Sequence, residues 1–232
     1  MPLFTGFKTR VATIVFMPAK EWFKPSDVEW LKVSGEQLGQ GRYGTVYRGR
    51  IKFRGKPSFS VAVKQFHFPK APFFNWGNYE KAISSLKQAG VRMPKMAVVE
   101  HEGRKVLVSE LFASRGASKI FDIGYKVPPQ MREALLDVVA KIINAGYEPA
   151  PDAIGALRTG KGFEPIVHDF DFLAQESKNM VASSAQDWLR RLYPVDREER
   201  VKALETLLTK VTHPTLRNEL QKIRGNIGFR NE

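Results

Sequence analysis

With 232 residues and 43% hydrophobic side chains, the chain can bury one sizeable core or two small lobes and is too apolar for wholesale disorder. The absence of cysteine excludes disulfides and thiolate metal sites, and fits a reducing, cytoplasmic compartment. A formal net charge of +13 favours acidic or phosphate-rich partners, nucleic acid included, although much of the excess falls at helix-surface positions such as Arg190, Arg197 and Lys202.

In chain order, residues 1–32 read as an N-terminal extension. Their apolar run over 11–18 is too short to span a membrane, and Ser26-Asp27-Val28-Glu29 has the S-x-x-E form of a helix capping box. From about 33 to 68 the pattern is strand-rich. It opens with Gly39-Gln40-Gly41-Arg42-Tyr43-Gly44-Thr45-Val46 and continues to Val61-Ala62-Val63-Lys64. The three glycines let backbone N–H groups approach phosphates with no Cβ in the way. β-type residues rather than a helix follow the loop, which argues against a dinucleotide-binding turn.

Arg54-Gly55-Lys56-Pro57 predicts a hairpin turn. Tyr79, Ile83, Leu86 and Ala89 predict a helix over 79–89, ended by Gly90. Glu102-Gly103, between Val98-Val99 and Val106-Leu107-Val108, predicts a second hairpin. The aromatic run Phe73-Phe74-Asn75-Trp76 could stack on nucleic acid, but packing beneath the helix is favoured.

The second half reads as helical over 129–145, 183–193, 196–212 and 214–224, with an apolar stripe through Val201, Leu204 and Leu208. Residues 146–163, rich in Pro, Gly and Ala, look too broken for a regular element. Ile166-Val167-His168 is a short β run leading to Asp169-Phe170-Asp171, with His168 expected to face the core or a cleft. The four histidines are scattered and make a zinc site improbable.

Glycine loop, V-A-V-K, a helix glutamate and D-F-x, in this order, resemble a protein kinase. The ending Ala89-Gly90-Val91-Arg92-Met93-Pro94-Lys95 is similar to RIO kinases and to the lipopolysaccharide (Kdo) kinase group. The resemblance covers about residues 33–175, and more faintly Asp187–Arg191. It implies an α+β, two-lobed protein kinase-like fold: a β-rich N-lobe over 33–112 and a reduced helical C-lobe over 113–232.

By the same resemblance, Gly39, Gly41 and Gly44 would cover the phosphates of ATP. Lys64 would hold the α- and β-phosphates, and Glu80 would fix Lys64 by an ion pair. Val46 and Ala62 would cap the adenine, while backbone groups near Glu110 and Phe112 would bond its edge. Asp169 would ligate Mg²⁺, a hard cation suited to carboxylate oxygen. The reaction implied is transfer of the ATP γ-phosphate to a hydroxyl, first a Ser/Thr side chain and second a sugar or lipid headgroup.

Departures from the pattern are equally specific. Asp171 replaces the glycine of D-F-G, H-R-D is absent, and no A-P-E occurs in the 61 residues after Asp171. Asp152, 17 residues before Asp169, is the nearest candidate for the carboxylate that orients the acceptor, with Glu148 as the fallback. The asparagine expected five residues later falls on Leu157. Two alternatives follow: a pseudokinase that binds nucleotide or a protein partner without catalysis, and a basic scaffold that binds RNA.

Overall fold

The computed structural model describes residues 23–41, 44–67, 75–112, 120–122, 127, 129–159, 162–168 and 178–225. The architecture is α+β, with a five-stranded antiparallel sheet, a three-stranded antiparallel sheet and five α-helices among these residues. Strands β1 (Val28–Gln40), β2 (Gly44–Phe53), β3 (Phe59–Phe66), β4 (Met96–His101) and β5 (Arg104–Glu110) form the larger sheet in the order β1-β2-β3-β5-β4. Helix α1 (Trp76–Gln88) lies between β3 and β4 in the chain.

The capping-box reading of Ser26–Glu29 is corrected. Pro25–Asp27 make one 3-10 turn, no side chain caps it, and β1 begins at Val28. Val28, Trp30, Leu31 and Val33 pair along β2, so the β pattern that starts at Val28 overrides the local S-x-x-E signal. The strand-rich region therefore starts five residues before the boundary at 33.

Both hairpins form where the turn residues place them. Gly55 takes φ 71° between β2 and β3. Glu102 and Gly103 take φ 50° and 73° between β4 and β5, the positive pair that a type I′ turn demands. Glutamate is poorly suited to left-handed backbone, so Glu102→Asn is expected to stabilise the fold by about 0.5–1 kcal/mol. A urea midpoint that does not rise would contradict this.

Helix α1 starts at Asn75, whose side chain accepts from the N–H groups of Gly77 and Asn78. It ends at a Schellman motif: Gly90, with φ 69°, donates to the Lys87 carbonyl, and Val91 donates to the Leu86 carbonyl. Helix α2 (Arg132–Asn144) ends the same way, through Gly146 and Tyr147 onto Ile143 and Ile142. These two glycines stop the helices because only glycine takes that backbone freely.

The expectation of a broken segment over 146–163 is also corrected. After one 3-10 turn at Pro151–Ala153, β7 (Ile154–Thr159) and β8 (Gly162–Val167) form a hairpin that pairs with β6 (Ile120–Asp122) in the order β6-β7-β8. The second half is thus helical with a small sheet inserted. Its helices are α2, α3 (Lys178–Leu192), α4 (Arg197–Lys210) and α5 (Pro214–Lys222).

One apolar cluster runs from Tyr79, Ile83 and Leu86 of α1, through Val98 and Leu107, to Leu135, Ile142, Trp188, Leu204 and Leu220. A second, on the other face of the larger sheet, joins Val61, Val63 and Val108 to Phe23 and Phe53. Of the stripe read on α4, Leu204 and Leu208 are buried and Val201 packs against the core. No helix among the described residues is long and apolar enough to cross a membrane.

At the end of α4, Lys210 Nζ lies 2.5 Å from Asp137 Oδ1 on α2. The hydrogen bond to Asp137 raises the ammonium pKa above the ordinary lysine value, and the carboxylate charge adds to it. A raised basic pKa stabilises fully below the unfolded value and is lost as pH climbs through the folded one. Asp137→Asn is therefore expected to change stability by the same small amount at every pH from 6 to about 9, converging on wild type only above about pH 10.4. Denaturation at four pH values checks this.

Candidate functional site

The pleat of the larger sheet decides which side chains meet. Facing residues in an antiparallel pair share a face, and neighbours along a strand alternate. Val46, Lys64, Leu107 and Val98 are aligned across β2, β3, β5 and β4; Arg48, Ala62, Ser109 and Met96 form the next row on the same face. Val98, Leu107 and Met96 belong to the cluster shared with α1, so this is the face that α1 covers. Three residues singled out in the sequence, Val46, Ala62 and Lys64, thus stand together on it.

Lys64 is half-buried, and its Nζ lies 5.3 Å from the ring centroid of Phe66, within cation–π range. Phe66 meets Trp76 edge-on at 5.2 Å and Tyr79 at 5.8 Å. The ammonium therefore rests on an aromatic group that ties β3 to the first turn of α1. From the sequence, Trp76 is expected to pack beneath the helix and Tyr79 to lie on its apolar face. Phe66 lies 10 residues before Trp76 on another element, out of reach of helical periodicity. Phe73 and Phe74 lie outside the described residues.

The glycine-rich loop joins β1 to β2. Gln40 pairs with Thr45, and the Gly41 N–H donates to the Gly44 carbonyl at 2.9 Å. The glycines differ in what the fold asks of them. A Cβ on Gly44 would come within 2.6 Å of the Gln65 carbonyl oxygen, a backbone atom on β3, whereas a Cβ on Gly39 would meet nothing within 4 Å. Gly44→Ala is expected to cost about 1–3 kcal/mol by overpacking, and Gly39→Ala to leave stability unchanged. Equal melting temperatures for the two variants would contradict this. Behind the loop, Thr45 Oγ1 lies 2.6 Å from His67 Nε2, holding the start of β2 to the end of β3.

The remaining expected residues are placed as follows. Glu80 is exposed on α1, its carboxylate 3.9 Å from Lys105 Nζ on β5. The Glu110 N–H donates to the Lys95 carbonyl at 2.7 Å, and its carboxylate accepts from the Lys95 N–H at 3.3 Å. Phe112 is half-buried just beyond β5. Asp152 lies in the 3-10 turn Pro151–Ala153. Leu157, where an asparagine was expected, is buried in β7 opposite Ile120. Asp169 and Asp171 lie outside the described residues, as do Arg42 and Tyr43 of the loop.

His168 is exposed one residue after β8, so of the two expected placements, core or cleft, it does not take the core. Its N–H donates to the Ala153 carbonyl at 2.9 Å, which binds the chain just ahead of Asp169 to the turn that carries Asp152. The Val167 N–H donates to the Arg92 carbonyl at 3.0 Å, and Arg92 is ion-paired to Glu164. The smaller sheet is thereby fastened to the segment between α1 and β4.

Glu148 was legible in the sequence only as a fallback carboxylate, and no local pattern announced its partners behind this turn. Glu148 is buried, and Ser184 Oγ on α3 donates to its Oε1. Trp188 Nε1, one helical turn further, donates to the Pro149 carbonyl at 2.7 Å. Glu148 Oε2 is buried with no hydrogen-bond partner among the described residues.

A groove of about 550 Å³ opens elsewhere, lined by Lys32, Ser34, Tyr47, Gln65 and His101. Tyr47 and Gln65 alternate with Val46 and Lys64 along their strands, so the groove lies on the opposite face and includes none of the expected residues. Among the described residues no three His, Asp or Glu side chains gather as a metal site. No protein-family model matches the chain, and no curated protein matches it.

Proposed function

We propose that the chain is an ATP-dependent phosphotransferase, an atypical minimal kinase that transfers the γ-phosphate to a hydroxyl, with a Ser/Thr side chain as the acceptor. The observation that carries this reading is the common face of Val46, Ala62 and Lys64 beside a glycine-rich hairpin. In protein kinases the glycine loop covers the phosphates, the lysine sits on the third strand and a helix glutamate follows. Here the loop joins β1 to β2, Lys64 is on β3 and Glu80 is on α1. Gly39 and Gly41 are compatible with it: the fold leaves room for a Cβ at both, so packing does not require glycine there.

In this reading Lys64 neutralises the α- and β-phosphates, and Val46 and Ala62 pack on the adenine. Asp169 would hold Mg²⁺, a hard cation suited to carboxylate oxygen that would offset the phosphate charge. The turn over 148–153 supplies the carboxylate that orients the acceptor, from Asp152 or Glu148. The domain division follows: a β-rich lobe to residue 112, then a reduced lobe of helices and one small sheet, in a cytoplasmic protein.

Calorimetric titration with Mg-ATP, followed by transfer of labelled γ-phosphate, tests the reading. Binding with transfer supports it, and loss of transfer in Asp152→Ala or Glu148→Gln identifies the carboxylate, at about 10²–10⁴-fold. Absence of binding at millimolar nucleotide would overturn it. The buried Leu157 in place of a metal-binding asparagine favours a second reading, a pseudokinase, for which binding without transfer is the signature. Steep salt-dependent association with RNA, and no nucleotide binding, would instead point to the basic scaffold.

A further inference from the structure

We infer that Ser184 and Trp188 of α3 are positioning residues, which fix Glu148 and the turn it opens and thereby set the rate of phosphate transfer. The inference rests on the phosphotransferase reading above and adds a control point to it, on a helix 36 residues away in sequence. Ser184 is 7% exposed and Trp188 is fully buried, so both act through the turn rather than on a ligand.

Four hydrogen bonds make the turn a defined object. Ser184 donates to Glu148, and Trp188 donates to the Pro149 carbonyl. The Ala150 N–H donates to the Glu148 carbonyl at 2.9 Å, and the Ala153 N–H donates to the Ala150 carbonyl at 3.0 Å. Residues 148–153 are thus held from α3 at one end. At the other, the His168 N–H holds the Ala153 carbonyl.

Glu148 is what makes this more than a structural clip. A carboxylate with one oxygen bonded by Ser184 and the other buried with no partner among the described residues is unfavourable for the fold, because an unsatisfied buried acceptor, above all a charged one, loses its water without replacement. A glutamine or an apolar residue would serve a purely structural role at less cost. Glu148 is as enclosed as Ser184, so it too acts on the acceptor through the turn, which carries Asp152. Ser184 holds that turn through the other oxygen.

Steady-state kinetics on the full chain, with Mg-ATP as the varied substrate, tests this. Ser184→Ala removes one hydroxyl from a buried position and is expected to lower kcat about 10- to 100-fold with KM for ATP within about twofold. Trp188→Phe, which keeps a ring but removes the donor, is expected to show the same split at a temperature where circular dichroism reports native structure. Glu148→Gln, which weakens the bond from Ser184, is expected to show the same split while its melting temperature holds or rises. Ser183→Ala, at the exposed neighbouring position, should match wild type.

Unchanged kcat in Ser184→Ala, with wild-type transfer intact, would overturn the inference alone. So would a loss of kcat that only follows a fall in melting temperature. A wild type that binds ATP but does not transfer would overturn both this inference and the enzyme reading.

Discussion

In the proposed phosphotransferase, Lys64→Ala is expected to lower γ-phosphate transfer about 10²–10³-fold and to leave the fold intact. The size follows from removing one fixed charge aimed at a phosphate in a partly desolvated site, a contribution of about 2.7–4 kcal/mol. The fold survives because Lys64 is half-buried and not part of either apolar cluster. Its ammonium lies over the ring of Phe66, which meets Trp76 and Tyr79 edge-on without it. Lys64→Arg is expected to fail as well, since a planar fork does not replace a compact ammonium on a short reach. Single-turnover transfer with matched circular dichroism checks both, and activity within threefold of wild type would contradict the assignment.

The largest expected effect on stability is at Trp188. Its side chain is fully buried and touches the main core while its indole N–H satisfies the Pro149 carbonyl. Trp188→Ala is expected to cost about 3–5 kcal/mol from the cavity and lost burial, with a further ~1–3 kcal/mol if the carbonyl stays unpaired. Against a total of about 5–15 kcal/mol for an ordinary domain, this brings the chain close to unfolding at room temperature. Urea denaturation reads it as a large drop in midpoint at similar slope. A shift under 1 kcal/mol would mean that α3 does not anchor the turn.

The sequence was most legible where local chemistry leaves few choices. Gly55 and Gly103 marked the two hairpins, Gly90 marked the end of α1, and the 3.6-residue spacing of Met131, Leu135, Val138, Val139 and Ile142 marked α2, all of which are buried. It was least legible where tertiary pairing overrides composition. Ile154–Thr159 hid among glycine, alanine and proline, yet β6 and β8 pair it from both sides. Ser26 and Glu29 imitated a helix start, yet β2 draws the segment into a strand.

The site divides in the same way. Lys64, Val46 and Ala62 could be placed on one face by counting along two strands, because the period of two is strict. The support beneath Lys64 could not, since Phe66 and Tyr79 meet only when α1 folds back on β3. Glu148, Ser184 and Trp188 come from segments 36 to 40 residues apart, and no local pattern announces a hydrogen bond between them. Asp152 drew attention by its spacing from Asp169, with Glu148 as the fallback; that Glu148 is buried and bonded to Ser184 was visible only in three dimensions.

Transfer of labelled γ-phosphate from Mg-ATP, compared between wild type and Asp169→Ala at equal circular dichroism, tests the central claim most directly. Mg²⁺-dependent transfer by the wild type that falls at least about a hundredfold in the variant is the predicted result. A folded wild type that neither binds Mg-ATP at millimolar concentration nor transfers phosphate would contradict it.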